Sequence, residues 1–336
     1  MLGERHDSPP NRNATSSRHK GFSSVSDIIL HHYPFSPFAE KIRRVLAWKK
    51  LAWNAVEVPN MLPKPDVMAL TGGYRRTPIL QLGADVYCDT ALICDLLEHL
   101  QPEPALYPAH AKGIARVVAQ WADTTLFTTA MAFNFGPRGA AQFYSRMAPD
   151  KVGPFTQDRS AMRGGAPRAS HTDAAGAYKS YLRRIANMLE THPFLLGPQP
   201  CLADFSAYHP LWFTRTHTRD VAGVFDATPG VKDWLDRMAA LPATPKAQWG
   251  AEQAIAIAAG CEPAALPEQV FQDEHGIALG SRVTIASESS GTEPTEGVLM
   301  AATRMHYTLR RVDPRAGTMH LHFPRIGYTL RAVAAA

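Results

Sequence analysis

Between Asp27 and about residue 105, hydrophobic runs alternate with helical periodicity in an order that few folds accommodate. A single helix joins the first two strands, so these strands are expected to be parallel, whereas a hairpin is antiparallel. The order predicts a compact α/β unit over residues 27–105. Its predicted segments are a strand at Ile28–His32, a helix from Ser36-Pro37 to about Lys50, a strand at Trp53–Val58, a hairpin over Ile79–Cys88 and a helix from Asp89-Thr90.

The rest of the chain divides into three further regions. Residues 1–26 are rich in Ser, Asn, Arg and Pro and predict a disordered tail. Residues 110–260 have helical periodicity, including one long helix over Ile114–Phe135, and Gly136–Ser170 is interpreted as a loop or insertion. Residues 274–336 alternate apolar with polar positions between turn signals, which predicts a small all-β module of four to five strands.

Composition excludes several classes of protein. The net charge of +5 is scattered without a dense Lys/Arg run, so nucleic-acid binding is not expected. No stretch approaches the ~18 apolar residues of a membrane span, and the N-terminus lacks a signal-peptide pattern. Four cysteines without CxxC spacing disfavour a zinc ribbon or a disulfide scaffold. A reduced, cytoplasmic protein is therefore the expectation.

Ser36 stands where a strand passes into a helix. The helix N-terminus carries unpaired N–H groups and a partial positive charge, so it stabilises an anion. A serine hydroxyl can cap the helix through its oxygen and still donate its hydrogen to a thiolate. Such a site lowers a thiol pKa from ~8.5 into the range ~3.5–7.5. On this pattern alone, a plain N-cap is the simpler interpretation.

Arg76, Thr77 and Pro78 precede the hairpin. A cis Thr77–Pro78 bond would turn the Thr77 backbone toward a cleft, where it could pair with an extended ligand as an added strand does. Arg76 could hold a carboxylate beside it, although a surface cation next to a turn proline is the simpler alternative.

Asp89 and Thr90 begin the last helix of the α/β unit. Thr90 and the first-turn N–H groups could bind a carboxylate, and Asp89 could meet the ammonium of the same amino-acid group. Ordinary helix capping explains each residue equally well in isolation.

Two further features give weaker evidence for a functional site. His31 and His32 point to opposite faces of a strand, and His320 and His322 share a face without an evident third ligand, so no metal site is predicted. Aromatic and sulfur side chains on the long helix suit either a packed core or the wall of a hydrophobic pocket. These side chains are Trp121, Phe127, Met131, Phe133 and Phe135.

Together, these motifs resemble the glutathione transferase superfamily over roughly residues 27–245. The matching segments are Tyr33–Arg43, Thr77–Leu80, Asp89-Thr90 with Ile93 and Leu96–Glu98, Phe194–Gly197 and Cys201–Ser206. The resemblance implies a thioredoxin-like domain with a cis proline at Pro78, followed by an all-α domain. It leaves the β module unexplained.

The resemblance also implies a role for each site residue. Ser36 falls on the residue that activates the glutathione thiol in serine-type classes, and Thr77 on the backbone position that pairs with its cysteinyl part. Arg76 falls where some classes hold the glycyl end. Asp89 and Thr90 replace the usual Glu-Ser pair at the γ-glutamyl end. Cys201 replaces the usual Ser/Thr cap before Asp204, which predicts a half-formed capping box.

The sequence therefore predicts a glutathione transferase in which the glutathione thiolate attacks a hydrophobic electrophile, with glutathione as co-substrate and no metal. Dimers are common in the resembled family, so the resemblance allows a homodimer. The alternative is a binding or scaffold protein with the same fold but no turnover, suggested by the Asp89-Thr90 departure and the extra module. A thiol-disulfide reductase is disfavoured, because Ser36 cannot form a mixed disulfide.

Overall fold

The computed structural model describes residues 27–165, 169–267, 270–271 and 274–333. The predicted tail at residues 1–26 lies outside this range. The described strands form one ten-stranded sheet. From one side to the other its strands are residues 328–332, 282–287, 295–302, 306–313, 317–324, 85–88, 79–82, 28–32, 53–57 and 247–249. One hydrophobic core fills the space between this sheet, the helices at 37–48 and 90–100 and the helical domain, and a second core lies under the helices at 65–71 and 251–259 and continues into the C-terminal strands.

The α/β unit has the predicted elements and directions. β1 is parallel to β2 and antiparallel to β3, and β3 is antiparallel to β4. Pro37 at the first position of α1 and the αL residue Gly72 after α2 are the expected start and stop signals. The elements are β1 Ile28–His32, α1 Pro37–Trp48, β2 Trp53–Glu57, α2 Pro65–Thr71, β3 Ile79–Leu82, β4 Asp85–Cys88 and α3 Thr90–Leu100.

The helical domain differs from expectation in two places. The long helix over Ile114–Phe135 is α4 (Lys112–Trp121) and α5 (Phe127–Asn134), joined by a π-helical segment at Ala122–Leu126. The interpretation of Gly136–Ser170 as a loop was wrong. It contains α6 (Pro137–Tyr144) and α7 (Pro149–Arg163). Helix α6 has only eight residues and α7 buries only Phe155, so neither helix gave a clear apolar period over a long window.

The remaining helices follow the predicted pattern. They are α8 His171–Met188, α9 Leu202–His217, a 3-10 helix at Arg219–Phe225 and α10 Pro229–Ala239. The expected half-formed capping box is a complete one. The Asp204 carboxylate accepts a hydrogen bond from the Cys201 N–H at 3.0 Å. The Cys201 sulfur, in place of the usual hydroxyl oxygen, accepts from the Asp204 backbone N–H.

The predicted boundary of the helical domain at residue 260 also needs correction. After α10 the chain returns to the sheet as β5 (Ala247–Trp249), which pairs in parallel with β2. Helix α11 (Ala251–Ala259) then packs on α2, β2 and β9. Residues 247–259 are thus part of the α/β layer, which a three-residue strand could not reveal by periodicity.

The C-terminal region has five strands, in agreement with the predicted small all-β module. They are β6 Arg282–Ser287, β7 Thr295–Ala302, β8 His306–Asp313, β9 Gly317–Pro324 and β10 Tyr328–Ala332. β9 pairs in parallel with β4, so the module continues the sheet of the α/β unit. Thr295 strengthens this junction, because its hydroxyl accepts from the Tyr74 N–H and donates to the Thr71 carbonyl.

No helix among the described residues is both long and apolar enough to cross a bilayer.

Candidate functional site

The sheet register brings the predicted site loops to one edge. His31 is opposite Ile79, so two residues further along, Tyr33 is level with Thr77. Ile79 is opposite Cys88, so Thr77 is also level with Thr90. The loop before α1, the Thr77–Pro78 turn and the start of α3 therefore lie side by side.

Ser36 is the N-cap of α1. Its Oγ accepts a hydrogen bond from the Ala39 N–H at 3.2 Å, and its own N–H donates to the Tyr33 carbonyl at 3.1 Å. The hydroxyl hydrogen is not used in these two contacts. Ser36 is 1% exposed, so its side chain is shielded from solvent in this conformation.

The Thr77–Pro78 peptide bond is cis, as the resemblance implied. Within the part of the chain that the structure describes, neither the N–H nor the C=O of Thr77 has a hydrogen-bond partner. Both groups of an extended residue next to a sheet can thus pair with an added strand.

Lys64, which precedes α2, is a site residue that sequence reasoning missed. Its Nζ donates to the Thr77 Oγ1 and the Arg75 carbonyl, each at 3.1 Å, and lies 5.7 Å from the centre of the Tyr33 ring. Burial, with Arg159 and Arg75 nearby, lowers the pKa of Lys64 to about 7. This ammonium beside Thr77 is suited to a carboxylate, which would raise its pKa again.

Replacing Lys64 with Met should remove a specific pH dependence of stability. Because the pKa of Lys64 is lower in the folded chain than the ordinary 10.5, the unfolded chain binds more protons between pH 7 and 10.5. The wild-type free energy of unfolding should therefore rise with pH across this window, by up to about 1.4 kcal/mol per pH unit from this group. Urea titrations at several pH values measure the slope.

The control for this experiment is Lys179→Met on the exposed side of α8. It should keep the wild-type slope, since its side chain is in water before and after unfolding. A Lys64→Met variant with an unaltered slope would contradict the assignment.

Asp89 and Thr90 begin α3. Asp89 has a φ of +75°, and its Oδ1 accepts from the Ala91 N–H at 2.9 Å. The Arg76 guanidinium lies 3.8 Å from the Asp89 Oδ2 and also donates to Ser287 and Ser290 of the C-terminal module. Arg76 and Asp89 are thus neighbours in this conformation, and Lys64 is the better-placed cation for the opposite end of an extended ligand.

A buried charge cluster lies behind Thr90. Lys41 on α1 is fully buried, and its Nζ donates to the Thr90 Oγ1 at 3.2 Å and to Asp123 at 2.5 Å. Asp123 also meets His209 Nε2 at 3.0 Å. Burial lowers the pKa of Lys41, but the combined effect of the Asp123 carboxylate, Cys94 and Asp89 is larger, so the net pKa is raised. Because Lys41 can only donate, the Thr90 hydroxyl must direct its own hydrogen elsewhere.

Asp123 lies within the π-helical segment of the long helix. Single π-helical turns are rare and frequently occur at functional sites. Within this segment, Asp123 contacts both Lys41 and His209. Asp123 therefore connects the α/β unit to the helical domain.

The aromatic side chains of the long helix have separate environments. Trp121 packs against Tyr181 and Phe133 against Tyr178, both within the helical domain. Phe127 stacks beside Phe38, two residues after Ser36. Met131 and Phe135 join an aromatic cluster that also contains Phe35. Only part of the predicted set thus reaches the Ser36 loop.

A cavity of about 430 Å³ opens beside Phe35, the residue before Ser36. It lies between the β1–α1 loop, the β2–α2 loop and the region of α7. Its lining is mainly apolar and includes Phe35, Val58, Met61, Leu62 and Phe155.

His31, His32 and His322 each have a hydrogen-bonding partner, whereas the buried Nδ1 of His320 has none among the described residues. His31 Nε2 lies 2.8 Å from Gln81 Oε1, and burial lowers the pKa of His31 to about 4. His32 Nδ1 lies 3.0 Å from Arg43. His322 Nε2 lies 2.8 Å from Asp85 Oδ1, with His320 Nδ1 at 3.8 Å from the same oxygen. Among the described residues, no group of three or more His, Cys, Asp or Glu side chains is arranged to hold a metal ion.

Comparison with known proteins identifies two domains within the chain. Residues 30–105 match the family described as glutathione S-transferase, N-terminal domain, and residues 145–242 match glutathione S-transferase, C-terminal domain. FtsZ-localized protein A from Caulobacter vibrioides is 25% identical over 184 residues, which is 53% of this chain and 73% of that protein.

A crystal structure of a GST-like protein from Pseudomonas syringae is 37% identical, with a TM-score of 0.76. The match covers 92% of this chain and 100% of the other, so it necessarily includes part of the C-terminal module. The family matches and this full-length similarity agree with the thioredoxin-like and helical architecture. The chain belongs to the glutathione transferase superfamily.

Proposed function

We propose that this chain is a glutathione transferase that activates the glutathione thiol at Ser36. The observation that supports this best is the alignment of the Ser36 loop, the unpaired Thr77 backbone and the start of α3 along one sheet edge. An extended tripeptide on this edge would pair its cysteinyl backbone with Thr77. Its sulfur would then lie toward the N-terminus of α1, where a thiolate is stabilised.

The two ends of the tripeptide carry different groups and would bind different residues. At one end, Thr90 and the first-turn N–H groups of α3 would bind the γ-glutamyl carboxylate, with Asp89 on its ammonium. At the other, Lys64 would bind the glycyl carboxylate. Arg76 was expected in this second role, but its contacts with Asp89 and Ser290 favour Lys64 instead.

The reaction needs no covalent enzyme intermediate. Ser36 would donate its hydroxyl hydrogen to the glutathione thiolate, and the sulfur lone pair would attack an electrophilic carbon while the leaving group departs with its bonding electrons. The apolar cavity beside Phe35 and Phe155 would hold the electrophile. A cytoplasmic location, expected from the composition, and a homodimer, expected from the resemblance, stay predictions.

A second candidate is a non-catalytic protein that uses this fold for binding. Two observations favour it: Ser36 is 1% exposed, and both Arg76 and Asp89 contact the C-terminal module. The similarity to a protein named for FtsZ localisation also supports this candidate.

Calorimetric titration with glutathione, followed by a conjugation assay with chlorodinitrobenzene, separates the two functions. The transferase should bind glutathione in the micromolar to millimolar range common for enzyme substrates and should turn over. Binding without turnover would support the binding protein. Absence of both would exclude glutathione chemistry.

A further inference from the structure

The C-terminal module reaches the candidate site through Tyr328, the first residue of β10. The Tyr328 hydroxyl donates to the Asp89 Oδ2 at 3.0 Å and lies 3.4 Å from the Tyr74 hydroxyl. Tyr328 is 4% exposed and the Asp89 side chain is 25% exposed, so this hydrogen bond to a carboxylate is partly shielded from water. Such bonds to a charged group contribute more than neutral ones.

Asp89 depends on such support because of its backbone. A φ of +75° is uncommon for a residue with a side chain and persists where the surroundings hold it. Each carboxylate oxygen of Asp89 accepts a separate hydrogen bond: Oδ1 from the Ala91 N–H, and Oδ2 from the Tyr328 hydroxyl. The direction of the first turn of α3 therefore depends on a residue of the module.

The module also fixes Arg76. The Arg76 Nε donates to the Ser290 carbonyl at 2.7 Å, and its Nη2 donates to the Ser287 hydroxyl. The guanidinium lies 6.0 Å from the centre of the Tyr328 ring and 3.8 Å from Asp89. Arg76, Asp89 and Tyr328 thus form one cluster across the junction between the α/β unit and the module.

We propose that the C-terminal β module completes the γ-glutamyl end of the glutathione site, with Tyr328 as the positioning residue that holds Asp89. This inference rests on the proposed function. Tyr328 does not touch the reacting sulfur. It keeps the carboxylate of Asp89 and the N–H groups of α3 in the geometry that receives an amino-acid group.

The test is Tyr328→Phe in the full chain, compared with Tyr307→Phe. Tyr307 lies on β8 beside Arg325, so the control makes the same chemical change within the module but outside the cluster. Tyr328→Phe should raise the Kd for glutathione by about tenfold, the effect of losing one hydrogen bond to a charged group. At saturating glutathione, kcat and its pH profile should stay unchanged, because Ser36 is untouched.

A measurement on the protein without ligand distinguishes a selective change at Asp89 from a general loss of stability in the variant. Amide hydrogen exchange at Ala91 should become faster in Tyr328→Phe, whereas exchange at Ile42 in α1 should not change. A purely structural role would instead lower the melting temperature without a selective change at Ala91. Ser287→Ala, which loosens Arg76, provides a second variant and should also raise the Kd.

The two proposals fail in different ways. Wild-type protein that does not bind glutathione overturns the proposed function and this inference with it. Wild-type binding together with an unchanged Kd in Tyr328→Phe overturns only the inference. A lower Kd in this variant would also overturn it, because the module would then obstruct the site.

Discussion

Ser36→Ala should lower kcat/KM for conjugation by about 10²-fold while the Kd for glutathione changes little. Loss of one preorganised donor to a developing or bound anion typically has an effect of this size. The binding energy comes mainly from the two ends of the tripeptide, which Ser36 does not contact in the proposed arrangement. The apparent thiol pKa in the kcat/KM profile should rise toward the ordinary value of ~8.5.

The matched control is Ser170→Ala at the start of α8. Ser170 is also an N-cap serine, and its Oγ accepts from the Asp173 N–H at 3.1 Å. Both substitutions should lower the free energy of unfolding by about 1 kcal/mol through the lost cap. Only Ser36→Ala should lose turnover. Equal turnover in Ser36→Ala and wild type would remove Ser36 from the mechanism and leave it as an ordinary cap.

Local patterns were sufficient to predict the strands β1–β4 and the helices α1 and α3 of the α/β unit, but not β5 and α11, which join it from a distant part of the chain. Ser36-Pro37 marks a helix start that depends only on neighbouring residues, and the Gly83 turn fixes the antiparallel partner of β3. The register that aligns Thr77 with Thr90 follows from these local choices. Helix α7 was missed because it buries only Phe155, so its sequence lacks the period by which helices are recognised. Helix α6 was missed because its eight residues are shorter than the window of about 11 residues in which that period is read.

Long-range contacts of charged side chains could not be predicted in the same way. Lys64 reaches Thr77, and Lys41 reaches Asp123, across separations of 13 and 82 residues. Lysines are almost never fully buried unless paired, so the amphipathic pattern of α1 gives no indication that Lys41 is buried. The contact of Tyr328 with Asp89 depends on how β9 joins β4, which an alternating strand pattern does not specify.

Asp123→Ala should be the most destabilising of these substitutions, lowering the free energy of unfolding by about 3–5 kcal/mol. Removing the carboxylate leaves the fully buried Lys41 ammonium without its counter-ion, and breaking a buried pair from one side has an effect of this size. Thermal and urea unfolding measure the loss. Asp226→Ala, which breaks the exposed pair with Lys232, should change stability by less than about 1 kcal/mol.

The double variant Lys41→Met/Asp123→Ala tests whether the unpaired Lys41 ammonium causes the loss of stability in Asp123→Ala. It removes both charges, so it should recover much of the stability lost in Asp123→Ala, since a buried pair replaced by apolar groups is often nearly neutral. Recovery of stability without recovery of glutathione affinity would indicate that Lys41 also orients the Thr90 hydroxyl, which accepts its hydrogen bond. If the double variant is as unstable as the sum of the single variants, the two residues do not act as a pair.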